Sequence, residues 1–267
     1  MLISFIGGGN MATALIKGLK KTGGSRLSIQ VCTPSGEARA RLREKLHVET
    51  HYDLAAAIED ADVIVLAVKP QIMPGVLDKM RGLVKPEQLV LSVAAGKTVA
   101  VIAAHLGSRQ AIVRAMPNTP ALTGHGITGI FAGSECQPHH VEQAETILSA
   151  TGEVVWINDE ALMDVVTAIS GSGPAYYFLM TEALAAAGEK LGLSAASAMR
   201  LAVHTSYGAG AMAINSDETV AQLRERVTSP NGTTQAALET LAKGQFNELL
   251  FQAVEAATLR GRELARE

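Results

Sequence analysis

Short apolar runs alternate with amphipathic stretches over the first 158 residues of the chain. This alternation predicts an α/β domain, in which a parallel sheet is covered by helices. The clearest strand is residues 62–68, which are continuously apolar after Asp62, as a strand buried on both faces should be. Other strands are predicted at 2–6, 28–32, 89–93 and 111–114, with a last pair near 126–131 and 153–157 at the sheet edge. A helix from about Pro138 to Thr151 separates that last pair.

From Asn158 onward strand patterns disappear and alanine-rich helical periodicity takes over. Helices are predicted at about 159–191, 194–214, 217–226, 230–242 and 246–266. The segment Ser170–Pro174 interrupts the first of them, because proline lacks an N–H and glycine weakens a helix. The chain is therefore predicted to contain a sheet domain at 1–158 and an all-α domain at 159–267.

Composition, net charge and cysteine content argue against several classes of function for this chain. The chain has 267 residues, 48% of them hydrophobic, and a formal net charge of −3. This charge gives no reason to expect nucleic acid or an anionic membrane as a partner. The two cysteines, Cys32 and Cys136, are too few for a disulfide framework or a four-cysteine metal site, and they fit a reducing cytoplasm. The sequence shows neither a signal peptide nor an uninterrupted apolar stretch of 18 residues, so no membrane span is expected.

A glycine-rich turn directly follows the first predicted strand. Residues 7–12 read Gly-Gly-Gly-Asn-Met-Ala, which is the pattern G-x-G-x-x-A between a strand and a helix. Gly7 permits the tight turn, Gly9 lets the backbone approach a pyrophosphate, and the small Ala12 lets the helix pack closely on the strand. The pattern predicts a dinucleotide site at the N-terminus.

The residues after the second predicted strand favour NADPH over NADH. A site that prefers NAD usually places Asp or Glu there to hold the ribose 2′-hydroxyl, whereas this chain has Thr33, Pro34 and Ser35. Nothing in this stretch repels a 2′-phosphate, and Arg39 or Arg41 lies within a turn or two. The alternative for these arginines is a solvated helix face.

Residues 226–234, Arg-Val-Thr-Ser-Pro-Asn-Gly-Thr-Thr, predict an anion site at the start of a helix. Pro230 suits the first helical position and Ser229 suits the N-cap. The N–H groups of residues 231–233 are then expected to be free for a carboxylate, and the Thr234 hydroxyl can donate or accept a hydrogen bond. The alternative is a capped helix without a ligand.

Cys136, His139 and His140 form a weaker candidate, a metal site. Adjacent histidines at a helix start point in different directions, so a solvated loop is the expected structure there and no metal is predicted.

Taken together, these residues resemble the pyrroline-5-carboxylate reductase family over nearly the whole chain. The most specific blocks are Ser-Gly-Ser-Gly-Pro-Ala-Tyr at 170–176 and Val-Thr-Ser-Pro-x-Gly-Thr-Thr at 227–234. Two departures stand out: Asn231, where many members have Gly, and residues 52–54, where members often carry an Asn near the adenosine.

The resemblance implies an N-terminal Rossmann-type domain, a helical C-terminal domain that dimerises, and reduction of L-Δ1-pyrroline-5-carboxylate to L-proline with NAD(P)H. A homodimer, or a multiple of dimers with pockets shared between subunits, is the expected assembly. The implied cofactor contacts are Ile6, Gly7, Gly8, Gly9, Asn10 and Met11 for the pyrophosphate, Thr33 for the 2′-phosphate, and Ala67, Val68, Lys69, Pro70 and Ala94 for the inner portion. The implied substrate contacts are Ser229, Gly232 and Thr233 for the carboxylate and Thr234, the catalytic residue, for the ring nitrogen.

Two other functions compete with this interpretation. One is a related imine or β-hydroxyacid reductase. Reductases of the β-hydroxyacid dehydrogenase type rely on a catalytic lysine early in the helical domain, but residues 168–182 contain none and Lys190 is too far along. A non-catalytic NADP-binding sensor would not need the carboxylate pocket at 227–234.

Overall fold

The structure, a computed structural model, describes residues 1–22 and 27–266. Its strands are β1 (Leu2–Ile6), β2 (Ser28–Cys32), β3 (Glu49–His51), β4 (Val63–Leu66), β5 (Leu89–Ser92), β6 (Ile112–Met116), β7 (Gly126–Ala132) and β8 (Gly152–Trp156). These strands form one sheet in the order β3-β2-β1-β4-β5-β6-β7-β8. Every neighbouring pair is parallel except β6 and β7, which are antiparallel. The predicted parallel sheet is confirmed for β1 to β6, and the last two strands, β7 and β8, run in the opposite direction.

Helices cover both faces of the sheet: α1 (Asn10–Thr22), α2 (Gly36–Leu46), α3 (Leu54–Ile58), α4 (Met73–Met80), α5 (Val99–Leu106) and α6 (Pro138–Leu148). Two hydrophobic cores result, one on each face. Strand β4 supplies both, because Val63 and Val65 enter one core while Ile64 and Leu66 enter the other. Successive side chains of a strand point to opposite faces, so a strand between two helix layers must be apolar throughout.

The rest of the chain is helical, as predicted. It contains α7 (Met163–Val166), a π-helical turn (Thr167–Gly171), α8 (Gly173–Lys190), α9 (Ala195–Asn215), α10 (Val220–Arg226), α11 (Thr233–Lys243) and α12 (Phe246–Arg266). The predicted break at Ser170–Pro174 is confirmed, since the π turn ends and α8 begins there. No helix in the described part of the chain is long and apolar enough to cross a membrane.

Two compact units divide these elements. The sheet unit comprises Met1–Ser172 together with the residues from Ala257 onward, and the helical unit comprises Gly173–Ala256. The predicted domain boundary at residue 158 therefore differs from the packing boundary: the segment that contains α7 and the π turn, and the end of α12, pack with the sheet.

Strand β3 is one element that the hydrophobic pattern does not reveal. It has three residues, Glu-Thr-His, and pairs in parallel with β2. A strand this short and polar at a sheet edge has no apolar alternation, so only the pairing defines it.

Candidate functional site

Gly7 shapes the turn between β1 and α1. Its φ is +104°, and a Cβ added there would lie 2.6 Å from the carbonyl oxygen of Ala67. The Gly7 N–H donates to the carbonyl of Cys32 at 2.9 Å. The backbone of Gly7 therefore packs directly against the backbones of Cys32 and Ala67, where β1, β2 and β4 end. Only glycine permits this close contact.

Gly9 marks the place where the same turn is open. A Cβ on Gly9 would meet nothing within 4 Å, and the Gly9 carbonyl accepts the first hydrogen bond of α1, from Thr13, at 2.9 Å. The N–H groups of Asn10 and Met11 therefore lie at the first turn of α1, where they lack partners within the helix. Open space beside free N–H groups at a helix N-terminus fits a pyrophosphate.

The tip of β2 carries one well-placed cation. The guanidinium of Arg39 donates to the carbonyls of Thr33 at 2.6 Å and Pro34 at 2.9 Å, and it lies 5.4 Å from the centre of the Tyr52 ring. Ser35 caps α2 by accepting from the Ala38 N–H. Of the two predicted arginines, the structure holds Arg39 at this tip and leaves Arg41 exposed.

The ends of β4 and β5 continue the same edge of the sheet. The Ala67 N–H donates to the Ile6 carbonyl at 2.9 Å, so the segment Ala67, Val68, Lys69 and Pro70 starts beside the glycine turn. Ala94 is buried just beyond β5. In open α/β sheets, ligands bind at the carboxyl ends of strands where the strand order reverses, here between β1 and β4. The structure brings the predicted cofactor residues together there.

The turn before α11 differs from the prediction. Ser229 and Pro230 are not the N-cap and first residue of the helix; α11 begins at Thr233 with Gly232 as its N-cap. The Gly232 N–H donates to the Ser229 carbonyl at 3.0 Å, which closes a β-turn with Pro230 at its second position. Asn231, the third residue, has a φ of +56°. Asn tolerates this left-handed conformation and Gly adopts it freely, which explains why either can stand there.

The available N–H groups are consequently shifted along the chain. The Asn231 N–H donates to the side chain of Gln235 at 2.8 Å, and the Gly232 N–H is used by the turn. No side chain caps α11, and its first internal bond runs from Ala236 to Gly232. The donors that lack an acceptor within the helix are therefore those of Thr233, Thr234 and Gln235, rather than residues 231–233 as predicted.

A buried charge cluster supports the π turn, and sequence reasoning gave it no role. Arg114 on β6 is 4% exposed, and its guanidinium lies 3.2 Å from Glu160 Oε1 and 3.4 Å from Asp164 Oδ1. Glu160 Oε1 also accepts the Val99 N–H at the start of α5. Asn118 Nδ2 donates to the Ser170 carbonyl at 3.1 Å. An arginine within an apolar strand pattern was the available signal, because a buried charge needs partners.

His140 is not in a solvated loop, contrary to the prediction. It is buried, its Nδ1 accepts the Gln137 N–H at 3.1 Å, and its Nε2 lies 3.3 Å from the Glu87 carbonyl. Burial lowers the pKa of its imidazole below the ordinary value of 6.5. Burial likewise raises the pKa of the Cys32 and Cys136 thiols. Among the residues that the structure describes, no group of three His, Cys, Asp or Glu is arranged to hold a metal.

Comparison with known proteins finds similarity along the whole chain. Residues 160–264 match the family model described as pyrroline-5-carboxylate reductase dimerisation, and residues 2–96 match that of NADP oxidoreductase, coenzyme F420-dependent. A pyrroline-5-carboxylate reductase of Pseudomonas aeruginosa is 46% identical, over 99% of this chain and 97% of the relative. That of Haemophilus influenzae is 40% identical over 98% and 97%.

Two solved structures agree with this similarity. A pyrroline-5-carboxylate reductase from Coxiella burnetii superimposes with a TM-score of 0.94 at 41% identity, covering 98% of this chain and 97% of the other. A Plasmodium falciparum pyrroline carboxylate reductase with NADP bound gives a TM-score of 0.85 at 30% identity, covering 99% and 98%.

Proposed function

The chain belongs to the pyrroline-5-carboxylate reductase family, and we infer that it reduces L-Δ1-pyrroline-5-carboxylate to L-proline with NADPH as the preferred hydride donor. The observation that carries the substrate site is the uncapped start of α11, which combines free N–H groups with the Thr234 hydroxyl. The substrate is a cyclic imine that bears a carboxylate, and these two groups match the two kinds of donor.

We propose that the glycine turn and the edge of the sheet hold the cofactor. The residues assigned to it are Ile6, Gly7, Gly8, Gly9, Asn10, Met11, Thr33, Ala67, Val68, Lys69, Pro70 and Ala94. The open space beside Gly9 and the unpaired N–H groups of α1 support this assignment. Arg39 supports NADPH, because its guanidinium is fixed at the β2 tip, where Thr33, Pro34 and Ser35 replace the Asp or Glu that usually holds a ribose 2′-hydroxyl. Bound there, the cofactor supplies the hydride.

The proposed substrate residues each have one task. The N–H groups of Thr233 and Thr234 bind the carboxylate at the positive end of α11, and Ser229 and Gly232 set the shape of the turn that presents them. The Thr234 hydroxyl donates to the ring nitrogen and so orients the imine carbon toward the hydride. The proton on nitrogen comes from solvent, and catalysis is mainly orientation, an effect worth several kcal/mol.

We propose further that the active assembly is a homodimer or a multiple of dimers. The matched dimerisation segment supports an oligomer and supports residue 158 as the functional boundary. Helices α8 and α9 carry large exposed apolar side chains, among them Tyr177, Phe178 and Tyr207. A second copy would cover them, since such patches mark interfaces. The free thiols Cys32 and Cys136 support the cytoplasm as its location.

Initial rates with pyrroline-5-carboxylate test the assignment. We expect activity with NADPH and NADH and a higher kcat/KM for NADPH; an NADH preference would overturn the role of Arg39.

Thr234→Val keeps the branched shape but loses the hydroxyl, so kcat/KM should fall about threefold to a hundredfold. Unchanged kinetics would remove Thr234 from the mechanism.

A substitution at Gly232 tests where the substrate carboxylate binds. A Cβ on Gly232 would lie 3.0 Å from the Ser229 carbonyl oxygen, so Gly232→Val should distort the turn and weaken substrate binding. Thr240→Val, on the same helix but away from its start, is the control. Equal KM values for the two variants would place the carboxylate elsewhere.

A further inference from the structure

A cavity lies within the sheet unit, at the carboxyl ends of β4 and β5. Its volume is about 160 Å³, and its walls include Pro70, Pro74, Lys97, Asp164 and Leu264. The end of α12 closes one side, where Gly96 approaches the backbone of Ala265. An engineered apolar cavity of about 150 Å³ accommodates benzene, so this volume suits a ring of five or six atoms.

Lys97 is the unusual residue of this cavity. It is only 8% exposed, and its ammonium has neither a hydrogen bond nor an ion pair with any residue in the described part of the chain. A buried charge without a partner is unfavourable. A buried ammonium in the wall of a cavity is therefore suited to an anionic group of a ligand.

The cavity wall also carries the opposite charge. Arg114 forms ion pairs with two carboxylates, those of Glu160 and Asp164. This cluster of one cation and two anions therefore has a net charge of −1. Asp164 lines the cavity. A simple anion would satisfy Lys97 but face the acidic cluster, and a simple cation would face Lys97. A ligand that carries both charges satisfies both.

The proposed function assigns no cofactor or substrate group to Lys97, although it assigns the inner portion of the cofactor to the neighbouring Pro70 and Ala94. Strands β1 and β5 are separated by β4, about 10 Å at ordinary strand spacing, and the cofactor's phosphates are assigned to the turn after β1 and the tip of β2. The substrate carboxylate is assigned to α11. This step rests on the proposed function, because it takes those assignments as given.

We propose that this cavity binds a small α-amino acid as a zwitterion, with its carboxylate on Lys97, its ammonium toward Asp164 and its side chain against Pro74 and Leu264. The product of the proposed reaction, L-proline, has this chemistry and a ring of the right size. A molecule bound here contacts Pro70, which belongs to the turn assigned to the cofactor.

Calorimetric titration of L-proline tests the site in a Gly232→Val background, in which the catalytic pocket is impaired. We expect about one proline bound per chain and at least a tenfold weaker affinity when Lys97→Met is added. Lys79→Met removes an exposed lysine from α4 and should leave the affinity unchanged. A proline affinity that the Lys97→Met substitution does not change, or no binding at millimolar proline, would overturn the proposal.

Two compounds that each keep the ring and only one of proline's charges test whether the cavity requires a zwitterion. Cyclopentanecarboxylate keeps the ring and carboxylate, and pyrrolidine keeps the ring and the positive charge; each should bind at least tenfold more weakly than L-proline. Equal binding of either would show that one charge suffices and would overturn the zwitterion. Thermal melting checks folding, because removal of an unpaired buried charge should not lower the Tm of Lys97→Met.

Failure of this proposal is distinguishable from failure of the proposed function. If Gly232→Val keeps full reductase activity, the assignment of the catalytic pocket is wrong. The difference in proline affinity between Lys97→Met and Lys79→Met, measured in the otherwise unchanged enzyme, still decides the cavity.

Discussion

The sheet unit and the helical unit achieve burial in different ways. The sheet unit has two cores built from large side chains such as Phe5, Leu15 and Leu77. In the described part of the helical unit, the buried hydrophobic cluster consists of Ala185, Ala198 and Ala202. Meanwhile Tyr177 is 72% exposed and Phe178 is 70% exposed on α8.

This difference follows from how closely each set of elements can pack. On α8, a Cβ on Gly188 would lie 3.2 Å from the Ala198 Cβ of α9, so small residues bring the two helices together and leave little volume between them. Large side chains then have no place in that contact and point outward. Burial of one such side chain is worth about 1.5–3 kcal/mol, which the helical unit gains only from a partner. The sheet unit is complete within one chain, whereas the helical unit is not.

The largest expected effect comes from a substitution on the exposed apolar surface of the helical unit, which we expect a partner to cover. Phe178→Asp should give a monomer and lower kcat/KM by more than about tenfold, because a carboxylate buried in an interface without a partner costs several kcal/mol (~3 or more). Light scattering after size exclusion measures the mass. Leu83→Asp, an exposed apolar residue of the sheet unit, is the control and should remain oligomeric. A fully active Phe178→Asp dimer would contradict the comparison.

The next effect concerns the polar interior of the sheet unit. Arg114→Met leaves Glu160 and Asp164 as uncompensated, partly buried charges, so the free energy of unfolding should fall by up to about 3–5 kcal/mol. Chemical denaturation monitored by circular dichroism gives this value. Arg81→Met removes an exposed ion pair with Asp78 and should change stability by less than about 1 kcal/mol. A loss that small in Arg114→Met would mean that the cluster does not stabilise the sheet unit.

A smaller effect separates ligand binding from folding within the sheet unit. Gly9→Ala adds a methyl group to open space, so the Tm should stay the same while the Kd for NADPH rises about tenfold, or about 1.4 kcal/mol. Fluorescence titration measures the Kd. Gly75→Ala also adds a methyl group to open space, on α4, and should leave the Kd unchanged. If both variants bind NADPH equally well, the pyrophosphate does not lie on Gly9.

The smallest effect is a pH dependence carried by His140. Because burial lowers its folded-state pKa, the unfolded chain takes up the proton first as pH falls through 6.5. Stability is therefore complete above pH 6.5 and decreases below it, by at most about 1.4 kcal/mol per pH unit for one proton. Denaturant unfolding between pH 5 and pH 8 would show whether His140→Gln loses this slope while exposed His139→Gln keeps it. An identical slope in both variants would assign it to other groups.

Regular patterns were the most predictable part of the fold. Strand β4 and helix α6 were predicted to within a few residues, because a continuous apolar run and a proline-led amphipathic stretch each specify one element. The glycine turn could also be predicted, since its chemistry is local. Strand β3 was missed because three polar residues form no pattern, and His140 was misplaced because its burial depends on the Glu87 carbonyl, 53 residues away.

The sequence by itself determined the α/β pattern, the helical second half and the motifs that place the chain in its family, because these depend on residues close together in the chain. Only the tertiary structure decided that α11 starts at Thr233, that Arg39 rather than Arg41 reaches the β2 tip, and that the buried Lys97 lines the same cavity as Asp164. Each of these depends on contacts between distant segments or on the competition between alternative hydrogen bonds. Their outcome depends on packing, which a local pattern of residues does not contain.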